Sequence, residues 1–321
     1  MSDAATGDVV VLHRIIHQTE PADLAATLSD RCPAATVRAA ETPAESIEYL
    51  RNADIAVGMF MPPPAIEGDI DLGWFQAITA GVDHLPTDYF REQGTLLTTA
   101  SGVNAIPVAE QVLGYMLAFE RDLPRAFEQQ ARHEFRYWQG GELHGRTLGI
   151  IGLGEVGSRV AQLGQALGMT VIGTKRDPGS APAAVDEALG SGDTDRVCAR
   201  ADYLVLACPL TEDTRGLIGE TQLGTMPSDG VLINVARGPV VDEDALIRAL
   251  QRSEIGGAAL DVFTEEPLPG DSPLWDFSNV ILTPHIAGST PKYWDRLADI
   301  FAHNYTCYRD GEYDEMQNRA P

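Results

Sequence analysis

One stretch constrains this chain more than any other: TLGIIGLGEVGSRVAQLGQALGM, residues 147–169. An apolar run (147–151) leads into Gly152-x-Gly154-x-x-Gly157, a helical pattern (156–167) follows, and TVIGT (170–174) reads as a second strand. Strand, helix and strand together have the size of one βαβ unit, which commits the segment to a parallel sheet. The glycines have separate physical roles. Gly152 permits the tight turn, Gly154 lets the backbone approach a pyrophosphate, and Gly157 allows close helix–sheet packing. The motif alone is weak evidence; its place between strand and helix makes it a dinucleotide-binding signal. Phosphates would meet free N–H groups at the helix N-terminus, where Glu155 and Val156 join the three glycines as cofactor contacts.

The end of that second strand bears on which dinucleotide. A site that prefers NAD usually places a carboxylate there for the ribose hydroxyls. This chain has Thr174, Lys175 and Arg176 instead. Two cations attract a 2′-phosphate that a carboxylate would repel. The expectation is NADP(H) in preference, with NAD(H) tolerated. Asp177 follows directly and takes the acidic role if the strand runs longer. Alternatively, Lys175 and Arg176 are solvated surface bases. Lysine is scarce, since only Lys175 and Lys292 occur in 321 residues.

The rest of the chain alternates strand-like and helix-like segments. Strands are expected at 8–15, 54–60 and 74–80, with another at ATVRAA, and helices at 22–32 and 43–53. Strands separated by helices imply a parallel sheet covered on both faces. A long helical pattern (107–123) reads as a bridge between two lobes, and a polar helix is expected at 125–138. Further strands are expected at 203–208, 230–236, 256–263 and 279–285. No repeat and no low-complexity tract is present.

The length suits two ordinary domains or one large one. No apolar run is long enough to cross a bilayer, and the N-terminus lacks a cationic stretch followed by an apolar one. Cys32, Cys198, Cys208 and Cys307 show no paired or metal-ligand spacing, so reduced thiols, no metal and a cytoplasmic setting are expected. There are 47 acids against 23 bases, a net charge of −24. Such a surface repels nucleic acid and anionic membranes. With lysine so rare, it also suits adaptation to high salt, where counterions screen self-repulsion.

Three further segments place titratable residues just after apolar runs: INVARGPVVDEDAL with Arg237, ALDVFTEEPLP with Asp261 and Glu266, and VILTPHIAGS with His285. In an open α/β sheet the ligand crevice lies beyond the carboxyl ends of the strands. Arginine there can hold a carboxylate through two parallel hydrogen bonds. Histidine can give or take a proton, and a neighbouring carboxylate favours the imidazolium.

With these four segments in order, the chain resembles the D-isomer-specific 2-hydroxyacid dehydrogenase family, from ITAGVDHL through TPHIAGST. ELHGRTLGIIGLGEVGSRVA resembles the family's nucleotide-binding signature, NVARGPVVDEDALIRAL and GAALDVFTEEPLP its other two, and ILTPHIAG carries its histidine. The resemblance implies an α/β chain of two doubly wound parallel-sheet (Rossmann-like) domains joined by hinge helices. The substrate-binding, flavodoxin-like domain would be 1–103 with 289–321, and the inserted dinucleotide-binding domain 104–288. It implies reversible reduction of 2-oxoacids to D-2-hydroxyacids. Arg237 would bind the substrate carboxylate and 2-oxygen, His285 would be the general acid/base, and Glu266 would pair with it. Glu265 competes for that role by one residue of register. Asp261 would sit near the nicotinamide amide, or serve as a cap. Cys208, Pro209, Thr214, Val235 and Gly288 would line the cofactor groove, with Ser289 just beyond. Ala80, Gly81 and Val82 resemble the loop whose N–H groups hold the substrate carboxylate.

Phe60 and Met61, in GMFMPPP, point to an apolar substrate pocket or to core packing. Asn104 and Glu110 match a hinge-helix motif and are read as structural. The remaining histidines (His13, His17, His84, His133, His144, His303) show no ligand spacing, with His84 the most suggestive because it follows the carboxylate loop. No regulatory domain is expected after residue 321, which argues against the longer phosphoglycerate-type members. Glu266 stands where the formate dehydrogenase branch carries an amide. The resemblance also implies a homodimer in contact around 107–145. The competing reading is a nucleotide-sensing scaffold of the same fold.

The charge analysis makes one expectation measurable. Thermal unfolding should move to higher temperature between dilute buffer and about 1 M potassium chloride, where the screening length falls to about 3 Å. A melting temperature unchanged or lowered by salt contradicts the high-salt reading.

Overall fold

A computed structural model describes residues 8–13, 19–68, 70–82 and 84–320. The chain divides into two compact units, Met1–Val103 with Ser289–Pro321, and Asn104–Gly288.

The first unit alternates β1 (Asp8–Val11), α1 (Pro21–Arg31), β2 (Thr36–Ala39), α2 (Pro43–Leu50), β3 (Ile55–Gly58), α3 (Pro63–Glu67), β4 (Trp74–Ala77), α4 (Thr87–Gln93) and β5 (Leu96–Thr98). All strands pair in parallel, in the order β2-β1-β3-β4-β5. Successive side chains of a strand point to opposite faces, and a parallel sheet buries both. Val9 and Val11 accordingly join Leu24, Leu28, Trp74 and Phe301 in one cluster, whereas Val10 and Leu12 join Leu50, Phe75, Phe90 and Leu97 in another. The chain's final helix, α11 (Tyr293–Asp310), returns to the first cluster, where Phe301 stacks on Trp74 with ring centroids 5.0 Å apart.

The second unit runs α5 (Ala105–Glu120), α6 (Leu123–Ala131), β6 (Thr147–Ile151), α7 (Glu155–Ala166), β7 (Thr170–Thr174), β8 (Glu187–Leu189), α8 (Thr194–Cys198), β9 (Tyr203–Leu206), α9 (Glu220–Thr225), β10 (Val231–Asn234), α10 (Glu243–Gln251), β11 (Gly257–Leu260) and β12 (Val280–Leu282). Its seven strands are all parallel, in the order β12-β11-β10-β9-β6-β7-β8. Strand order reverses between β6 and β9, which makes this the topological switch point where ligands bind in such sheets. Helix α5 packs through Ala109, Val112, Tyr115 and Met116 against β6 and α7 residues, including Ile150, Val160 and Ala161. It is a core element of this unit.

Two local readings need correction. The polar helix expected at 125–138 ends at Ala131. His133 adopts φ 55°, a left-handed conformation that a continuing helix does not allow, and residues 134–140 run without regular structure. The first strand ends at Val11 rather than residue 15. Arg14, Ile15 and His17 lie outside the described residues. The strands β5 and β8 are three residues each, too short for periodicity to announce them.

Candidate active site

The glycine-rich turn sits at the switch point. Gly152 has φ 97°, and a β-carbon there would lie 2.7 Å from the Cys208 backbone. A β-carbon at Gly157 would lie 2.1 Å from the Gly152 carbonyl oxygen. Packing within the protein therefore demands glycine at both positions. Gly154 differs: it precedes α7 with φ −83°, and a β-carbon there meets nothing within 4 Å. The protein's own sterics do not require glycine at 154, whereas a pyrophosphate drawn against the helix N-terminus does. The residues present thus fit a dinucleotide. Glu155 is exposed and Val156 half-buried. Their N–H groups belong to the first turn, which has no intrahelical acceptors.

Beyond β7 the side chains take distinct tasks. Thr174 is buried, and its hydroxyl accepts from the Gly152 N–H at 3.3 Å, so it braces the glycine turn. The Lys175 ammonium donates to the Ser180 carbonyl at 3.0 Å, which folds the following turn back toward the strand end. Arg176 is exposed. Asp177 lies three residues past the strand end and caps the Pro178–Ser180 turn by accepting from the Gly179 N–H at 3.1 Å. On the opposite side of the switch point, Cys208 is buried and its thiol is pushed up to about 11 by that burial. The Thr214 hydroxyl donates to the Pro209 carbonyl at 2.7 Å and closes the loop after β9. Val235 is half-buried in the neighbouring core. At Gly288 a β-carbon would approach Asn104 Nδ2 to 3.0 Å, so the chain enters and leaves this unit at adjacent points.

The three titratable residues come from the ends of β10, β11 and β12. Asn234 closes β10 and is almost fully buried. Its side chain accepts from the Ala236 N–H at 3.1 Å and donates to the Arg237 carbonyl at 3.0 Å, which shapes the turn carrying Arg237. The half-buried guanidinium of Arg237 donates to the Ala236 carbonyl at 2.8 Å. Gly238 then packs backbone to backbone: a β-carbon there would fall 1.9 Å from the Phe263 carbonyl. The Phe263 N–H donates to Glu266 Oε1 at 3.0 Å, and Glu266 Oε2 lies 2.8 Å from His285 Nδ1. A continuous set of contacts therefore joins the Arg237 loop to the imidazole. Glu266, and not Glu265, meets His285. An ionised carboxylate only accepts, so Nδ1 carries the proton of that bond and Nε2 is left as the atom for proton exchange.

The His285 turn is strained and held. His285 has φ 52°, a left-handed conformation costing about 1 kcal/mol for a non-glycine residue. Its N–H donates to the Asp261 carbonyl at 2.8 Å. The buried Asp261 carboxylate accepts from the Ile286 N–H at 3.0 Å and the Ala287 N–H at 2.9 Å. Both oxygens of Asp261 are thus committed to the turn that carries the imidazole. Sequence reasoning passed over Asn234, which bonds to the Ala236 N–H, and Thr283, whose hydroxyl donates to Asp261. The available signal was a polar side chain closing an otherwise apolar strand, in VLINVA and VILTPH. An apolar cavity of about 560 Å³ flanks His285 and Glu266, walled by Phe263, Leu268, Trp275 and Leu282. Among the described residues no group of three or more His, Cys, Asp or Glu side chains is placed to hold a metal ion.

In the first unit, Ala80 is exposed and Gly81 and Val82 are half-buried. The Thr79 hydroxyl donates to the Gly81 carbonyl at 2.8 Å, and His84 Nε2 lies 2.7 Å from the Met59 carbonyl, which ties this loop to the end of β3. Phe60 is half-buried. Met61 is 3% exposed and packs with Ala65, Ile70 and Leu72, so the core-packing alternative describes it.

Residues 113–287 match the D-isomer specific 2-hydroxyacid dehydrogenase, NAD binding domain family. D-3-phosphoglycerate dehydrogenase of Methanocaldococcus jannaschii is 37% identical over 288 residues, covering 87% of this chain and 54% of that protein. The chain therefore spans about half the length of that relative. Glyoxylate/hydroxypyruvate reductase B of Pectobacterium carotovorum subsp. carotovorum is 37% identical over 246 residues, covering 74% of this chain and 76% of that protein. The crystal structure of a D-isomer specific 2-hydroxyacid dehydrogenase from Xanthobacter autotrophicus Py2, in complex with NADPH and MES, superposes with a TM-score of 0.85 at 29% identity, covering 99% of this chain and 98% of that one. By matched length, motif order and fold, the chain belongs to the D-isomer-specific 2-hydroxyacid dehydrogenase family.

Proposed function

We propose that this chain is an NADPH-preferring reductase of short 2-oxoacids, working reversibly on D-2-hydroxyacids. The observation that carries the reading is the His285–Glu266 pair at 2.8 Å, joined through Phe263 and Gly238 to the loop that bears Arg237. A cation for a carboxylate and a proton donor held by a second carboxylate are what reduction of a 2-oxoacid needs. The bound nicotinamide nucleotide supplies the hydride. Arg237 holds the substrate carboxylate and offsets charge growing on the 2-oxygen. His285 delivers its Nε2 proton to that oxygen, and Glu266 holds Nδ1 so that the ring keeps one orientation. Asp261 fixes the turn on which the imidazole sits. Oxidation runs the same steps in reverse.

Glyoxylate and hydroxypyruvate are the first substrates to examine, because a relative named for them is matched over three quarters of its length. Lys175 and Arg176 support NADPH over NADH, as does the NADPH bound to the related Xanthobacter structure. The reading extends to a homodimer. Phe127, Phe135 and Tyr137 are 65%, 104% and 91% exposed on and after α6, more apolar surface than an isolated chain ordinarily presents there. No helix of the described residues is long and apolar enough to cross a membrane. The four cysteines are free and buried, which suits the reducing setting of the cytoplasm.

Steady-state NADPH consumption with a panel of 2-oxoacids in high salt tests the reading. Turnover that declines toward alkaline pH, and that drops by ~10²-fold or more in His285→Ala, is expected. An alkaline optimum for reduction, or near-normal turnover in His285→Ala, refutes the role of His285; tight NADPH binding without turnover favours the sensor. Replacing both Lys175 and Arg176 with alanine should cut kcat/KM for NADPH by about tenfold or more and leave NADH nearly unchanged. An equal loss with both cofactors contradicts the 2′-phosphate assignment. Gly154→Ala should leave the melting temperature within a degree or two, yet weaken NADPH binding about tenfold in titration calorimetry. Unchanged affinity would show that nothing approaches position 154.

A further inference from the structure

A string of hydroxyl groups, buried at Tyr115 and half-buried at Thr283, ends on the turn that carries His285. Besides the Ile286 N–H, Asp261 Oδ1 accepts from the Thr283 hydroxyl at 2.5 Å. Thr283 has one hydroxyl proton, and Asp261 takes it. At the 2.5 Å contact between the Tyr115 hydroxyl and Thr283 Oγ1, the tyrosine is therefore the donor. Tyr115 projects from α5 and is 3% exposed. Burial pushes its phenol above the ordinary tyrosine value, so it stays protonated and remains a donor. The string has a fixed direction: Tyr115 to Thr283, Thr283 to Asp261. Asp261 in turn accepts the N–H groups of Ile286, Ala287 and, through its own carbonyl, His285.

We propose that Tyr115 and Thr283 are positioning residues for the general acid: they hold the Asp261 carboxylate in the one orientation that fixes the left-handed His285 turn against Glu266. The physical reason is the strain at φ 52°. A turn of that kind persists only where its surroundings over-determine it. Without the Thr283 hydroxyl, the buried Asp261 carboxylate loses one of the bonds it accepts, and the Tyr115 hydroxyl loses its acceptor. The carboxylate then has reason to rotate, the Ile286 and Ala287 N–H bonds lengthen, and the imidazole drifts from Glu266. A small drift suffices, because proton transfer is sensitive to misplacement of about 1 Å. This inference rests on the reductase reading for its kinetic consequence but not for its structural one.

The test uses Thr283→Val, which keeps the shape and removes the hydroxyl, with Thr283→Ser as rescue and Tyr115→Phe as the outer member. Hydrogen exchange of the Ile286 and Ala287 amides, which needs no turnover, should accelerate about tenfold in Thr283→Val and recover in Thr283→Ser. In assays of 2-oxoacid reduction, Thr283→Val should lower kcat about tenfold with KM changed less than about threefold. Tyr115→Phe should show the same changes at smaller size. Exchange as slow in Thr283→Val as in the unaltered protein overturns the proposal. So does a kcat in Thr283→Ser no higher than in Thr283→Val. If the unaltered protein turns over no 2-oxoacid, the reductase reading fails, and the exchange measurement still decides the relay.

Discussion

In a parallel sheet every strand delivers its carboxyl end to the same edge, and in the second unit that constraint does most of the work of assembling a site. β6, β7, β9, β10, β11 and β12 end along one line, so the glycine turn, the Lys175–Arg176 step, the Cys208 loop and the three titratable loops are neighbours by topology. What topology leaves open is register between loops. Gly238 resolves it by lying directly on the Phe263 backbone, at a distance that no side chain survives. From there each contact passes on through Glu266 to the imidazole.

The site is held by buried polar groups whose bonds are counted out with little to spare. Desolvating Asp261 carries a cost that only several hydrogen bonds offset. It accepts them from the turn that most needs support, so one carboxylate both satisfies itself and stabilises a backbone conformation histidine would otherwise avoid. Asn234 does the same for the turn bearing Arg237 with a neutral amide. Both residues sit at strand ends, where the sheet is rigid and the loops begin. The proposed chemistry is thereby placed beside hydrogen-bonded strands, which suits proton and hydride transfer over short distances.

How much of this was legible in the sequence depended on range. The βαβ unit was readable because its signals are local: an apolar run, three glycines, a helix, another run. The pairing of Glu266 with His285 was readable because ordered segments resembled a family, and Glu266 does meet His285 through Oε2. Other features depend on contacts far apart in the chain and left no local trace. Nothing in TPH announces that Thr283 faces Tyr115, 168 positions earlier. The HEFRYW segment continued a helical pattern in composition, yet a left-handed His133 turns the chain away. Met61 was open to a pocket or a core reading, since an apolar side chain after a strand serves either use, and it packs as core.

Charge and fold belong to different levels here. The net charge of −24 bears on solubility, salt response and excluded partners, while the Lys175–Arg176 step is a local exception to it. The central claim is that the assembled loops hold a 2-oxoacid so that its C2 takes a hydride from the nicotinamide and its oxygen a proton from His285. The most direct measurement is a reaction of hydroxypyruvate with NADPH deuterated at the transferable position of the nicotinamide, followed by analysis of the product. The account predicts deuterium on C2 of the D-2-hydroxyacid, with the hydroxyl proton drawn from solvent. Product without label at C2, or of L configuration, contradicts it.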